Sequence, residues 1–163
     1  MTNSSTQTPS ERLQQIAASG DMMRDEKLNA ILELGLSTFY MQNAIISHID
    51  YDARIYTVRY ALSPDNVIVP GTVFDLGNTY CNMTIDVPSA VMIPHVAISE
   101  HKRHPCYQQF KLESYIGHRV MVNGRNYGTI NFSSLSARAL FMKEESVFIQ
   151  QMGDAVGRLL EQK

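Results

Sequence analysis

The chain has 163 residues, of which 44% are hydrophobic and 18% are charged, and its formal net charge is −2. A chain of this length fits one globular domain, which buries roughly two-thirds of the surface that the unfolded chain exposes. The small negative charge excludes a general electrostatic attraction to nucleic acid or to an anionic membrane surface.

The N-terminal residues and the cysteines indicate where such a protein is expected to reside. The polar segment "MTNSSTQTPS" lacks the basic and apolar regions of a signal peptide. No run of the sequence approaches the roughly 20 apolar residues that span a bilayer. Cys81 and Cys106 form no Cys-x-x-Cys pair, so they indicate neither a zinc site nor a disulfide scaffold. These features predict a cytoplasmic protein with reduced thiols.

A helical region follows a polar N-terminal segment, residues 1–7, that we expect to be disordered. Thr8 is a candidate N-cap, and Glu11 stands where it would complete a capping box. Apolar residues at helical spacing then predict an N-terminal helix over residues 8–41. Gly20 interrupts the pattern and is expected to kink or break this helix.

Six short segments with the composition of β-strands follow, in two groups of three. The first group, "NAIISHID", "ARIYTVRYAL" and "TVFDLG", is rich in β-branched and aromatic residues and is divided by turn-prone sequences. The second group is "AVMIP", "SYIGHRVMV" and "YGTINFS", in which Gly117 and Gly128 predict a close approach of backbone or ligand. Asn123-Gly124 joins the last two segments and is the strongest short-range hairpin signal, because both residues tolerate positive φ.

An irregular insert, residues 77–110, precedes the predicted hairpin. It combines a short helix around "NTYCNMTI", the strand "AVMIP" and the polar run "SEHKRHP", and irregular segments of this length often carry function. The last segment, residues 142–161, is predicted to be a helix with one apolar face. The order helix, three strands, insert, three strands, helix predicts an α+β fold whose antiparallel sheet is flanked by the terminal helices.

Three segments resemble bacterial GAF domains: "TVFDLGNTYCNMTI", "HPCYQQFKLESYIGHRVMVNGRNYGTINFSS" and "FMKEESVFIQQMG". The similarity covers residues 24–162 and is strongest to GAF modules of sensor histidine kinases and diguanylate cyclases. It implies a six-stranded antiparallel sheet, helices packed behind the sheet and a small-molecule pocket under the irregular insert. We therefore assign residues 8–163 to a single GAF domain of regulatory type.

Ten side chains of the insert and the adjoining strands are candidate ligand contacts. The polar candidates would present hydrogen-bond donors and acceptors, and the apolar ones would form walls. We expect Tyr107, Thr129 and Asn131 to face one enclosed volume beneath the insert. The alternative for each side chain is that it closes a core or faces solvent. The candidates are Phe74, Tyr80, Cys81, Ile93, His95, Tyr107, Phe110, Tyr115, Thr129 and Asn131.

The chemistries that the resemblance suggests leave the ligand open. Bilin-binding GAF domains attach the chromophore to a cysteine that often has histidine next to it, and neither Cys81 nor Cys106 is followed by histidine. Cyclic-nucleotide-binding members carry an Asn-Lys…Phe…Asp-Glu signature, of which "FMKEE" matches only a fragment. His95, His101 and His104 are conceivable metal or haem ligands, but a charged run such as "SEHKRHP" is more often a solvated loop. We predict no metal, and the sequence identifies no cofactor.

An enzymatic function is the less favoured interpretation. Free methionine-R-sulfoxide reductases are GAF domains of similar length and need an attacking and a resolving cysteine. The chain lacks the Gly-x-Cys-Gly and Ala-Cys-Asp elements of that group, and it has no Gly-x-Ser-x-Gly, phosphate-binding glycine loop or His-Glu-x-x-His motif. We predict a sensory domain that binds a small molecule non-covalently and signals to a kinase or cyclase output, in the same polypeptide or in trans. The alternatives are a methionine sulfoxide reductase and a dimerisation module without a ligand.

The terminal helices also predict an assembly. The C-terminal helix carries an apolar seam at 3-4-3 spacing, made of Ile149, Met152, Val156 and Leu159. The N-terminal helix has a comparable but broader stripe. Since one stripe is enough to cover one face of a sheet, we expect the surplus to meet its copy in a homodimer. The alternative is that both helices cap the same core.

Overall fold

The structure, a computed structural model, describes residues 6–161. Residues 1–5 of the predicted N-terminal tail lie outside the described residues. The α-helices are α1 (Pro9–Ala18), α2 (Arg24–Phe39), α3 (Cys81–Thr84), α4 (Pro105–Phe110) and α5 (Lys143–Glu161). The strands are β1 (Asn43–Asp50), β2 (Ile55–Leu62), β3 (Val73–Asp75), β4 (Val91–Ile93), β5 (Ser114–Val122) and β6 (Arg125–Ser134).

The strands form one sheet in the order β3-β2-β1-β6-β5-β4, and every neighbouring pair is antiparallel. The predicted hairpin is β5–β6, and its turn residues Asn123 and Gly124 have φ values of 52° and 76°. Positive φ at both central residues is the geometry that matches the right-handed twist of the flanking strands. The predicted α+β fold with a six-stranded antiparallel sheet is confirmed.

Three helices, α1, α2 and α5, cover one face of the sheet and enclose the larger of two apolar cores. Because side chains alternate along a strand, Ile130 and Phe132 of β6 belong to this core while Asn131 lies on the opposite face. Phe39 of α2 lies 5.1 Å from Phe132 and 5.8 Å from Phe148 of α5, measured between ring centroids. The three helices therefore cover one face of the sheet, and a binding site can form on the opposite face.

The apolar seam of α5 belongs to the core of this chain. Ile149, Met152 and Val156 are wholly buried, and Leu159 is 2% exposed. The interpretation of these residues as a dimer seam is therefore wrong, and the alternative, a stripe that faces the sheet, holds. The cause is the apolar face of an antiparallel sheet, which must be covered and which α5 covers along β5. A homodimer through the terminal helices stays a prediction that needs other residues.

The predicted N-terminal helix is divided in two. Thr8 Oγ1 accepts a hydrogen bond from the backbone N–H of Glu11 at 3.1 Å, as the predicted N-cap requires. Helix α1 ends at Ala18, and α2 begins at Arg24, where the backbone N–H of Met23 donates to Glu26 Oε1 at 3.4 Å. Lys27 Nζ donates to the Ala17 carbonyl at 2.9 Å and fixes the end of α1 against α2. The break at Gly20 lets α1 fold back onto α2 and α5 instead of extending the helix.

Candidate functional site

The face of the sheet opposite the helices carries a cavity of about 470 Å³. Such a volume lies within the range of roughly 300–1,000 Å³ that is typical of small-molecule sites. The sheet, the segment between β2 and β3, and the insert all contribute to its wall. The lining residues are Gln42, Asn43, Ile45, Tyr56, Pro64, Val67, Ile68, Thr72, Phe74, Thr79, Tyr80, Cys81, Cys106, Phe110, Leu112, Tyr115, Asn131, Ser133 and Leu135.

A buried polar cluster around the Cys81 thiol forms one end of this cavity. Cys81 Sγ lies 3.3 Å from Tyr115 Oη, 3.2 Å from Thr129 Oγ1 and 3.3 Å from Asn131 Nδ2. Tyr115 Oη is also 2.7 Å from Thr84 Oγ1, so the tyrosine joins both ends of the short helix α3 to β5. All five side chains are at most 4% exposed. The insert is thereby hydrogen-bonded to the sheet at the floor of the cavity.

The same cluster extends across the sheet to β1 and β2. Asn131 Nδ2 donates to Tyr56 Oη at 3.0 Å, and Thr129 Oγ1 lies 2.7 Å from Ser47 Oγ. Every fully buried side-chain nitrogen and oxygen among the described residues has a hydrogen-bond partner. A buried polar network that is satisfied in this way holds its members in one arrangement.

Glycines at two strand positions make room for this arrangement. A side chain at Gly117 would collide with the Tyr115 ring, which lies across that position. A side chain at Gly128 would collide with the backbone carbonyl of Ser47 on β1. The predicted close approach of backbone is confirmed at Gly128, whereas a side chain, the Tyr115 ring, makes the close approach at Gly117.

Burial keeps the acidic groups of the cavity protonated. It raises the pKa of the Cys81 thiol, and it raises the pKa of Cys106 to about 12. It also raises the pKa values of Tyr56 and Tyr115 well above the usual value for a phenol. The charged form of each group is disfavoured because the site offers little water to solvate it. Near neutral pH the floor therefore presents thiols and phenols, and not thiolates or phenolates.

The profile of the GAF domain family matches residues 24–160. The chain belongs to the GAF family. Solved GAF structures share its fold: the GAF domain of an Acinetobacter phosphoenolpyruvate-protein phosphotransferase is 13% identical with a TM-score of 0.74, and the match covers 93% of this chain and 90% of that one. A phycocyanobilin-bound GAF domain of a cyanobacterial phytochrome is 11% identical with a TM-score of 0.75, covering 96% and 95% of the two chains.

A third solved structure is an enzyme. Free methionine-R-sulfoxide reductase from Neisseria meningitidis, solved in complex with its substrate, is 14% identical with a TM-score of 0.72, and the match covers 96% of this chain and 93% of the reductase. A comparison with curated protein sequences finds no match. Identities this low show a common fold, so what this GAF domain binds has to be argued from its own residues.

The structure brings six of the ten predicted contacts of this GAF domain to the cavity wall: Phe74, Tyr80, Cys81, Phe110, Tyr115 and Asn131. Thr129 stands behind Cys81 in the polar cluster and is wholly buried. Ile93 is buried in the smaller apolar core on this face of the sheet. Whether the six wall residues contact a ligand stays a prediction.

His95 and Tyr107 lie outside the wall because a carboxylate holds them elsewhere. Tyr107 Oη donates to Glu113 Oε2 at 3.0 Å, and His95 Nε2 lies 3.6 Å from Glu113 Oε1. Glu113 Oε1 also accepts the backbone N–H of Ala97 at 2.7 Å. Of Tyr107, Thr129 and Asn131, which were expected to face one volume, only Asn131 lines the cavity.

The stretch "HPCYQQF" at the end of the irregular insert contains the short helix α4, which the sequence pattern did not predict. His104 is its N-cap, and Nδ1 accepts the backbone N–H of Cys106 at 3.0 Å. The His104 ring packs on Tyr80 with centroids 5.1 Å apart, and burial lowers the pKa of His104. His104 therefore orients α4 so that Cys106 and Phe110 reach the cavity.

Sequence reasoning missed the part of the wall that lies between β2 and β3. Pro64, Val67, Ile68 and Thr72 line the cavity from this segment. The available signal was the apolar run "VIV" inside the turn-rich sequence "SPDNVIVPGT". Adjacent apolar residues in a loop often mark a binding surface or a ligand groove. Alternation along the strands would also have pointed to Ile45 and Tyr56.

Two further findings concern metal-binding clusters and membrane-spanning helices. In the described part of the chain, the structure shows no cluster of three or more His, Cys, Asp or Glu side chains that would hold a metal ion. Among residues 6–161, no helix is both long enough and apolar enough to cross a membrane.

Proposed function

We propose that this GAF domain is a regulatory, sensory module that binds a small molecule non-covalently in the cavity around Asn131. One observation carries the proposal: the cavity combines extended apolar walls with a small set of converging polar groups, which is the usual composition of a ligand site. Non-covalent binding is supported by the two thiols in the wall. The pKa values of both are raised by burial, and the thiol form is a poor nucleophile.

The proposal includes a route by which occupancy reaches a partner. Strands β5 and β6 carry Tyr115 and Asn131 on the cavity face and Ile116 and Ile130 on the helix face, in the core that α5 completes. A shift of these strands would therefore displace the core residues that α5 contacts. We propose that the output, a histidine kinase or diguanylate cyclase by resemblance, lies in the same polypeptide or in a separate partner and receives the signal through the terminal helices. Their outer surfaces would form the homodimer, and the protein would act in the cytoplasm.

Filling the cavity is expected to abolish binding. Ile45 of β1 lines the cavity and is 7% exposed, so Ile45→Trp places an indole in the space of the ligand. Native mass spectrometry of the freshly purified wild type should show a small molecule bound to the 18.4 kDa chain, and the variant should show about 100-fold lower occupancy or affinity.

The matched control is Ile55→Trp on β2, because Ile55 is 39% exposed and is not a wall residue. This variant should retain the ligand. A wild type that carries no small molecule and binds none of a fragment library containing neutral and charged compounds would favour the dimerisation module without a ligand.

A second candidate function is the reduction of free methionine sulfoxide. It is favoured by the position of Cys81 and Cys106, which both line the cavity, and by the shared fold of the Neisseria reductase. In that reaction the two thiols would give up their hydrogens as water with the sulfoxide oxygen, leaving the thioether and a Cys81–Cys106 disulfide. The raised thiol pKa values oppose it, because the thiolate is the attacking species.

We expect no reduction of free methionine-R-sulfoxide above the uncatalysed background when dithiothreitol is supplied as the reductant. The measurement is the methionine formed, quantified by chromatography over several hours at pH 7.5. Turnover that disappears in both Cys81→Ser and Cys106→Ser would establish the enzyme instead. Turnover that disappears in only one of the two variants would also contradict the sensory proposal, since a single essential thiol still implies catalysis.

A further inference from the structure

The nineteen described residues of the cavity wall share one property that bears on the ligand: all have uncharged side chains. They are aliphatic, aromatic, hydroxyl, amide and thiol groups. Burial raises the pKa values of Cys81, Cys106, Tyr56, Tyr80 and Tyr115, so the five groups that can ionise stay neutral near pH 7. A ligand that enters this cavity meets no ionic partner on its wall.

The carboxylate of Glu113, which follows the wall residue Leu112 in sequence, is already engaged away from the wall. Glu113 takes part in the contacts with Tyr107, His95 and the backbone of Ala97. An ionised ligand would lose its hydration without gaining a counter-charge, which disfavours its binding. The wall thus favours an uncharged ligand over an otherwise identical ion.

The floor offers a specific hydrogen-bonding position at Asn131. Asn131 Nδ2 lies within hydrogen-bond distance of Tyr56 Oη, Cys81 Sγ and Thr129 Oγ1. Within the described residues, Asn131 Oδ1 receives no hydrogen bond of this kind. Because every fully buried side-chain oxygen there is paired, Oδ1 must remain accessible, and Asn131 lines the cavity. A ligand with an N–H or O–H group finds its acceptor at this atom.

We infer that the cavity takes an uncharged, largely apolar molecule with one hydrogen-bond donor, which pairs with Asn131 Oδ1. This inference rests on the proposed binding function and adds the chemical class of the ligand. It argues against zwitterionic amino acids, nucleotides and other carboxylate or phosphate compounds as ligands. The charges of such ligands need partners in the cavity wall.

Two fluorescent probes that differ by one sulfonate group test the first part. N-phenyl-1-naphthylamine is uncharged and carries one N–H donor, and 8-anilinonaphthalene-1-sulfonate is the same molecule with a sulfonate. Fluorescence titration should give about 100-fold tighter binding of the uncharged probe. The signal of the uncharged probe should disappear in Ile45→Trp and persist in Ile55→Trp, which assigns it to the cavity.

A gain of affinity for the anion tests the same point in the other direction. Leu135 lines the mouth and is 62% exposed, whereas Leu140 is 78% exposed and is not part of the wall. Leu135→Arg should strengthen sulfonate binding about threefold by supplying the missing charge, and Leu140→Arg should leave it unchanged. Displacement of the uncharged probe by 1-naphthol should be about tenfold more effective than by 1-methoxynaphthalene, which has no donor.

The outcomes separate the ligand class from the binding function. Equal or tighter binding of the sulfonate in the wild type, lost in Ile45→Trp, overturns the uncharged class while binding stands. Equal displacement by the two naphthalenes overturns the donor at Asn131. Failure of both probes and both naphthalenes to bind overturns the inference together with the binding function, as does an uncharged-probe signal that survives Ile45→Trp.

Discussion

Replacement of Met152 by glutamate is expected to unfold the domain and not to release a folded monomer from a dimer. Met152 is wholly buried in the core between α5 and the sheet. Placing a carboxylate there costs about 5 kcal/mol, because the charge loses its hydration and gains no partner. Since small domains are stable by about 5–15 kcal/mol, the substitution should remove a third or more of the free energy of unfolding, and a domain at the lower end of this range should be substantially unfolded at 25 °C.

Urea denaturation followed by far-ultraviolet circular dichroism measures this effect, and sedimentation reports the assembly. Gln150→Glu is the matched control, since Gln150 lies on the same helix, is exposed and receives the same charge. It should change the free energy of unfolding by less than about 0.5 kcal/mol. The prediction fails if the wild type sediments as a dimer and the Met152→Glu protein sediments as a monomer with an unchanged circular dichroism spectrum. That result would support the interpretation of the apolar face of α5 as a dimer seam.

The case of α5 shows what the spacing of apolar residues can and cannot predict. The pattern predicted the helix and its apolar face correctly, and the helix runs from Lys143 to Glu161. The same 3-4-3 spacing suits a sheet-facing stripe and a helix–helix seam, because either partner accepts a row of apolar side chains. Which partner is present depends on where the sheet lies, and residues distant in sequence decide that.

Local signals predicted most of the sheet for a similar reason. Asn123-Gly124 fixed the β5–β6 turn, and the β-branched composition of β1 and β2 located those strands. The short helix α4 was missed because "HPCYQQF" begins with His104, and a histidine that caps a helix through its ring is not among the preferred N-cap residues. Its capping role becomes visible only in the folded contact with Cys106.

The candidate site was predictable where it depends on one stretch of chain. Tyr80, Cys81 and Phe110 stand in the insert, where the resemblance to GAF domains had placed the pocket, and they line the cavity. His95 and Tyr107 come from the same insert but do not line the cavity, because both contact the side chain of Glu113. Competition of this kind between a carboxylate and a cavity depends on rotamers that spacing does not encode.

The polar cluster connects the stability of the sheet to the cavity. Cys81 is held by Tyr115 and Thr129, and Thr129 is paired with Ser47 on the neighbouring strand β1. The floor of the cavity therefore depends on the register between β1 and β6, in which Ser47 is opposite Thr129 and His48 is opposite Gly128. A change that alters this register should affect stability and binding together.

Gly128→Ala is expected to be such a change. A methyl group at this position meets the backbone carbonyl of Ser47, and backbone atoms in the middle of a sheet cannot rotate away as a flexible side chain would. We expect the substitution to lower the free energy of unfolding by about 3 kcal/mol, as overpacking against a rigid neighbour does. For a domain of this size, that loss lowers Tm by about 10 °C.

The same substitution should weaken binding of N-phenyl-1-naphthylamine about tenfold at temperatures where the variant is still folded. The strands must separate to admit the methyl group, and the Ser47–Thr129 contact of 2.7 Å that supports Cys81 is then lengthened. Gly20→Ala is the control for stability, because a methyl group there meets no neighbouring atom of the described chain within 4 Å. Thermal unfolding and fluorescence titration give the two readouts. A destabilised Gly128→Ala protein with unchanged probe affinity would show that the β1–β6 register does not shape the cavity floor.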